Sequence, residues 1–153
     1  MREREILLVE DNDNDIILTK RALTKANIKN ELVIARDGVE AIDYLYGKPE
    51  KNSGDERLCP ILILLDLKLH KVDGLEVLKR IRDDKRTYIC PVVILTSSKE
   101  DIDLTRGYEL GANSYIRKPV DYFQFVEAMR QLGLYWLVLN EPPPAENIRR
   151  TIR

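Results

Sequence analysis

Four short apolar runs in this chain lead into polar residues of kinds that can act on phosphorus. Ile6-Leu7-Leu8-Val9 runs into Glu10-Asp11, and Ile61-Leu62-Ile63-Leu64-Leu65 runs into Asp66. Val92-Val93-Ile94-Leu95 leads to Thr96-Ser97, and Ser114-Tyr115-Ile116 leads to Lys118-Pro119. If the runs are parallel strands, three carboxylates, a hydroxyl and an ammonium share one edge. Like charges about 4 Å apart repel by roughly 4 kcal/mol at an effective dielectric near 20, so the carboxylates need a counter-ion or protons. A hard divalent cation suits them, and Mg²⁺ keeps positions open for phosphate. No Cys or His stands at these ends to favour a softer metal. A carboxylate beside such an ion can attack phosphorus while the metal and a lysine neutralise the phosphoryl oxygens. Singly, each residue is more often a turn or cap; the set at successive strand ends carries the reading.

The elements that position these residues alternate along the chain. Strands are predicted at 6–9, 32–35, 61–65, 92–95 and 114–116. The third has no polar residue, as suits a central parallel strand covered on both faces. Between them lie helical patterns. Ile16, Thr19, Leu23 and Ala26 share a face, as do Leu75, Leu78 and Ile81 after Gly74. Tyr122, Phe125, Val126, Met129, Leu132, Gly133 and Trp136 form the clearest stripe. Alternation of this kind predicts right-handed crossovers and an α/β fold, a doubly wound five-stranded parallel sheet with helices on both faces. Ligands in such folds sit beyond the carboxyl ends of the strands, where strand order reverses.

With 153 residues the chain has room for one ordinary domain. A hydrophobic fraction of 44%, a charged fraction of 33% and a net charge of −1 describe a globular chain without the basic surface that nucleic acid or anionic membranes require. No apolar run spans a bilayer, and the opening residues lack an export signal, so a cytoplasmic location is expected. Cys59 and Cys90 each precede a proline and match no metal spacing. They are expected to be reduced, buried residues at strand entrances. Residues 47–59 read as a long surface loop, and Pro142-Pro143-Pro144 stops the last helix. The domain is expected over 1–140, with a proline-containing tail over 141–153.

The set of pieces resembles the response-regulator receiver domain of two-component signalling, from about residue 5 to 139. Glu10-Asp11 resembles the acidic pair that holds Mg²⁺, and Asp66 with Asp73-Gly74 resembles the phosphoacceptor strand and the turn after it. Thr96-Ser97 resembles the switch hydroxyl and the small residue that follows. Tyr115 and Lys118-Pro119 resemble the aromatic switch residue and the lysine, whose bond to proline is usually cis in the family. The resemblance implies a flavodoxin-like receiver fold with Asp66 as phosphoacceptor. It implies Mg²⁺ held by Glu10, Asp11, Asp66 and the Lys68 backbone carbonyl, and phosphoryl oxygens held by Thr96, Ser97 and Lys118. Gly74 and Pro119 shape the turns. It also implies a signalling switch, not an enzyme acting on a separate substrate. The partners implied are a sensor histidine kinase and a downstream protein. The long insertion before the third strand and the apolar last helix are similar to the small regulators paired with cyanobacterial phytochromes. Departures are His70 where the family often has proline, Glu-Asp in place of Asp-Asp, and Lys68 and Ser98 two residues beyond Asp66 and Thr96.

Other readings fit less well. Asp11-Asn12-Asp13-Asn14-Asp15 starts like an EF-hand loop but lacks its glycine and closing Glu; Asp13 is better placed as a helix N-cap and Asp15 as an early helical acid. His70 reads as a solvated loop residue. A haloacid-dehalogenase-like phosphatase would want Asp at position 68. An FMN carrier would want a turn less acidic than the one after the first strand. A degenerate receiver that only docks a partner has no reason to keep Asp66, Thr96 and Lys118 together. Beyond the stripe of the last helix, Leu134, Tyr135, Leu137, Val138 and Leu139 leave its end apolar nearly all round, which predicts a homodimer.

Overall fold

β1 (Ile6–Val9), β2 (Leu32–Ala35), β3 (Leu62–Leu65), β4 (Val92–Thr96) and β5 (Ser114–Arg117) form one parallel sheet in the computed structural model, which describes residues 4–47 and 59–144. The helices are α1 (Asp13–Lys25), α2 (Gly38–Tyr46), α3 (Gly74–Asp83), α4 (Asp101–Glu109) and α5 (Tyr122–Leu134). The strand order β2-β1-β3-β4-β5 is the doubly wound topology expected, with its reversal between β1 and β3. The predicted loop falls mostly on 48–58 and most of the predicted tail on 145–153, both outside the described residues.

Alternate residues of the central strands feed two cores. Ile6, Leu8, Leu62, Leu64, Val93 and Leu95 face α1 and α5, and Leu7, Val9, Ile63, Leu65, Val92 and Ile94 face the opposite side. Every residue of β3 is fully buried, and burial of each such Leu or Ile stabilises by roughly 1.5–3 kcal/mol. No helix among the described residues is long and apolar enough to cross a membrane.

Side-chain caps start four of the five helices. Asn12 accepts from Asp15 N, Asp37 from Glu40 N, Asp73 from Leu75 N and Asp121 from Gln124 N. Asn12 therefore takes the cap expected of Asp13, which is the first helical residue instead. At the start of α4, Glu100 makes no such bond.

The last helix does not end as a regular α-helix. Residues Tyr135–Leu139 form a π-helical turn, closed by Asn140 N donating to Tyr135 O. The wider turn brings both Trp136 and Leu137 against the α1/α5 core and leaves Tyr135, Val138 and Leu139 outside. Leu137, expected on a dimer face, is thus partly buried within its own domain.

Cys59 and Cys90 form a disulfide, contrary to the reduced state expected. Each lies just ahead of a central strand, β3 or β4. Parallel neighbours bring equivalent ends together, so Cα atoms 31 residues apart in sequence come to 5.9 Å. The Arg86 carbonyl, 3.3 Å from Cys59 Sγ, offers an acceptor to the thiol when the bond is reduced. On the chain-entropy account, closing a loop of this length stabilises by about 3–4 kcal/mol. Urea unfolding with and without dithiothreitol should show a loss of that order, and Cys59→Ala/Cys90→Ala should not respond to reductant.

Candidate functional site

The backbone ladder extends one residue beyond each of the strands concerned and sets the polar residues in place. Glu10 N donates to Ala35 O, Asp66 N to Val9 O and Lys118 N to Thr96 O, at 3.0, 3.0 and 2.8 Å. Glu10 and Asp66 are 1% and 5% exposed, so both carboxylates are held in the sheet's polar edge at the β1/β3 reversal. Asp11 is half-buried beside them. One oxygen from each of Glu10, Asp11 and Asp66 lies within 4.8 Å of the others. Three hard oxygen donors at that spacing fit a divalent cation, and no sulfur or nitrogen ligand belongs to the cluster.

Lys118 closes the site from β5. Its ammonium donates to Glu10 Oε2 at 2.6 Å, Asp15 Oδ2 at 2.7 Å and Asp66 Oδ2 at 3.2 Å, with 7% of the side chain exposed. Burial opposes its charge, but Asp15, Asp66 and Glu10 outweigh burial and hold its pKa above the ordinary lysine range. Burial, followed by the Asp66 charge, pushes Glu10 up to about 7 even though Lys118 pulls the other way. Asp15 was expected only as an early helical acid; its place one helical turn beyond Glu10-Asp11 makes it the lysine's third partner.

Gly74 is required by a close approach. A Cβ there would stand 2.3 Å from Asp66 O and 2.6 Å from Leu67 Cα, so α3 begins against the backbone of Asp66 and Leu67. Pro119 follows Lys118 through a trans bond, not the cis bond expected: among the described residues no peptide is cis. The trans form is the intrinsically favoured one, and the Lys118 N to Thr96 O bond already fixes the strand end without a cis turn.

Thr96 is fully buried and its Oγ1 accepts from Ser98 N at 3.2 Å, while Ser97 is exposed. Lys68 N donates to Asp66 Oδ1 at 3.2 Å, and its side chain points outward. His70 is exposed as expected, but its Nε2 lies 3.2 Å from Asp11 Oδ2. The Tyr115 hydroxyl is buried without a hydrogen bond. Its burial raises the phenol pKa, the Asp103 charge adds to this, and Arg117 and the nearby Ser98 oppose it.

The family model described as response regulator receiver domain matches residues 6–130. The chain is 40% identical to the probable methanogenesis regulatory protein FilR2 of Methanothrix harundinacea, over 90% of this chain and 86% of that protein. It is 37% identical to response regulator Rcp1 of Synechocystis, over 86% and 88% of the two chains, and the Mn²⁺-bound crystal structure of Rcp1 superposes with a TM-score of 0.83. The phosphorylated cyanobacterial phytochrome response regulator RcpA has a TM-score of 0.84 at 37% identity, covering 93% of this chain and 99% of that one.

The raised Glu10 pKa has two consequences. Between about pH 4.5 and 7 the native carboxyl keeps a proton that the unfolded chain has released, so this group's contribution to stability falls as pH rises through that window. A divalent cation must displace the same proton, so its affinity should rise about 10-fold from pH 6 to pH 8. Calorimetric Mg²⁺ titrations at the two pH values check this. Glu10→Gln should bind more weakly and lose most of the pH dependence.

Proposed function

The chain belongs to the response-regulator receiver domain family, and from that premise we propose that it is a phosphorylation switch in which Asp66 accepts a phosphoryl group from the phosphohistidine of a sensor histidine kinase. The observation that carries this is the convergence of Glu10, Asp11, Asp66 and Lys118 at the β1/β3 reversal. An Asp66 carboxylate oxygen attacks phosphorus, the P–N bond to the imidazole breaks, and the kinase histidine leaves. Mg²⁺ bound by Glu10, Asp11, Asp66 and the Lys68 carbonyl would neutralise charge on the phosphoryl oxygens. Lys118 exchanges a carboxylate partner for a phosphoryl oxygen, and Thr96 turns its hydroxyl toward another, helped by the small Ser97. Space left by Thr96 admits Tyr115, and the surface of α4, β5 and α5 repacks for a downstream protein. The chain assists its own phosphorylation and dephosphorylation without acting on a separate substrate.

A phosphatase of the haloacid-dehalogenase type is disfavoured by Lys68, which stands where such an enzyme would want an acid–base Asp. Residues 1–140 are the proposed receiver unit and 141–153 a tail. The near-whole-length likeness to Rcp1 and RcpA supports a regulator that acts by protein contact and a phytochrome-like kinase as its partner. A cytoplasmic location follows from a kinase partner of that kind.

We further assign a homodimer to the end of the last helix. Tyr135, Val138 and Leu139 are 51%, 64% and 72% exposed, next to half-buried Leu134. Contiguous apolar side chains of this size favour cover by a second copy.

Acetyl phosphate with Mg²⁺ should label the wild type with an alkali-labile phosphoryl group and leave Asp66→Asn unlabelled; full labelling of the variant overturns the assignment. Sedimentation equilibrium at tens of micromolar should show a dimer, and Val138→Glu/Leu139→Glu should be a monomer with an unaltered far-ultraviolet spectrum. These substitutions spare Leu137, whose loss would disturb the core.

A further inference from the structure

α4 is bound to the domain differently from its neighbours. Of its nine residues only Gly107 is buried, and its N-terminus has no side-chain cap. Ile102 and Tyr108 are more than half exposed. The Arg117–Asp101 pair joins α4 to β5, but with 45% and 93% of the side chains exposed it contributes little in water.

Asp103, in the first turn of α4, is the exception. Its side chain is 16% exposed, and Oδ2 accepts a 2.6 Å hydrogen bond from Ser98 Oγ. The same oxygen lies 3.8 Å from Lys68 Nζ. Ser98 is 6% exposed; its N–H is bonded to Thr96 Oγ1, and its hydroxyl oxygen accepts from Glu100 N. Lys68 N–H is bonded to Asp66 Oδ1. One carboxylate on α4 thus meets a side chain two residues beyond Asp66 and another two residues beyond Thr96. The buried Tyr115 hydroxyl lies near Ser98, and the Asp103 charge adds to burial in raising its pKa.

We propose that Asp103 is a positioning residue that latches α4 to the ends of β3 and β4 in the unphosphorylated protein, and that phosphorylation opens the latch. The inference rests on Asp66 being the phosphoacceptor. A phosphoryl group there brings roughly −2 charge within reach of the exposed Lys68 ammonium, whose tie to Asp103 is long and solvated. Thr96 moving toward the phosphoryl group pulls on Ser98 through the Thr96 Oγ1 bond. A single event therefore opposes both contacts of Asp103. Lys68 and Asp103 share the wall of a cleft of about 300 Å³ with Leu67, Leu69, Asp73 and Leu75. Freed of Ser98 and Lys68, the Asp103 carboxylate is an available acceptor for the Tyr115 hydroxyl.

The test is amide hydrogen exchange of α4 together with the rate of labelling by acetyl phosphate, on wild type, Asp103→Asn and Lys68→Gln. In unphosphorylated Asp103→Asn, amides of residues 101–104 should exchange about 10-fold faster than in wild type, the equivalent of one charge-assisted hydrogen bond. Lys68→Gln, which alters an exposed side chain and keeps the backbone, should move them the same way by less. Phosphorylated wild type should match unphosphorylated Asp103→Asn over this segment. Labelling of Asp103→Asn should be faster than wild type, because more of the population already has the open arrangement; a merely structural lesion would slow it. Unchanged α4 exchange in both unphosphorylated variants overturns the latch, whatever happens at Asp66. Loss of Asp66-dependent labelling in the wild type overturns the phosphoacceptor reading and leaves the exchange comparison to judge the latch alone.

Discussion

A single buried ammonium holds the polar edge of this sheet together. Lys118 is bonded to carboxylates from β1, from the first turn of α1 and from the end of β3. Removing one partner from such a group leaves an uncompensated buried charge, so each element's position depends on the others. The lysine also ties an edge strand to the two at the centre, because β5 itself pairs only with β4. One positive charge does not balance Glu10, Asp11, Asp15 and Asp66. Burial and then the Asp66 charge raise the pKa of Glu10, and the excess of carboxylates gives a divalent cation its place.

The opposite end of the sheet is of another kind. Ahead of β3 and β4 the chain is joined by the Cys59–Cys90 bond, and Arg82 donates to the carbonyls of Tyr88, Cys90 and Gly111 and to Asn113 Oδ1. Burial lowers the pKa of that arginine, yet the fork finds an acceptor for each of its nitrogens. Neutral oxygens and a covalent link restrain this end, whereas ion pairs that can exchange partners restrain the other.

Much of this was legible in the sequence because both signals involved are short-range. Apolar runs with no polar interruption identify the central strands, and in a parallel sheet the residue after each run must fall on one edge. Glu10, Asp66, Thr96 and Lys118 are found that way. What was missed depends on contacts across helices or between strand starts. Asp15 reads as a helical acid until α1 is laid beside β5. Ser98 is marked only by its place two residues beyond Thr96, and Asp103 looks like an ordinary surface residue until α4 is folded back. The disulfide is hidden by a separation of 31 residues that says nothing of parallel neighbours. The π-helical turn has no periodicity distinct from an α-helix over five residues, so the partial burial of Leu137 against the core is not legible in the sequence.

Gly107 gives α4 a mechanical character of its own. A Cβ at that position would come within 2.7 Å of Ile94 Cδ1 and 3.3 Å of the Tyr115 ring, so at this point the helix meets the sheet through bare backbone, beside the Tyr108–Tyr115 ring contact. Helices that insert large side chains into a neighbour must withdraw them to move, which makes their positions discrete. With only Gly107 buried, α4 has little interdigitation to undo, and the bond from Ser98 to Asp103 holds its first turn. Displacement of this helix should therefore be limited by how fast that bond exchanges and not by repacking of a core.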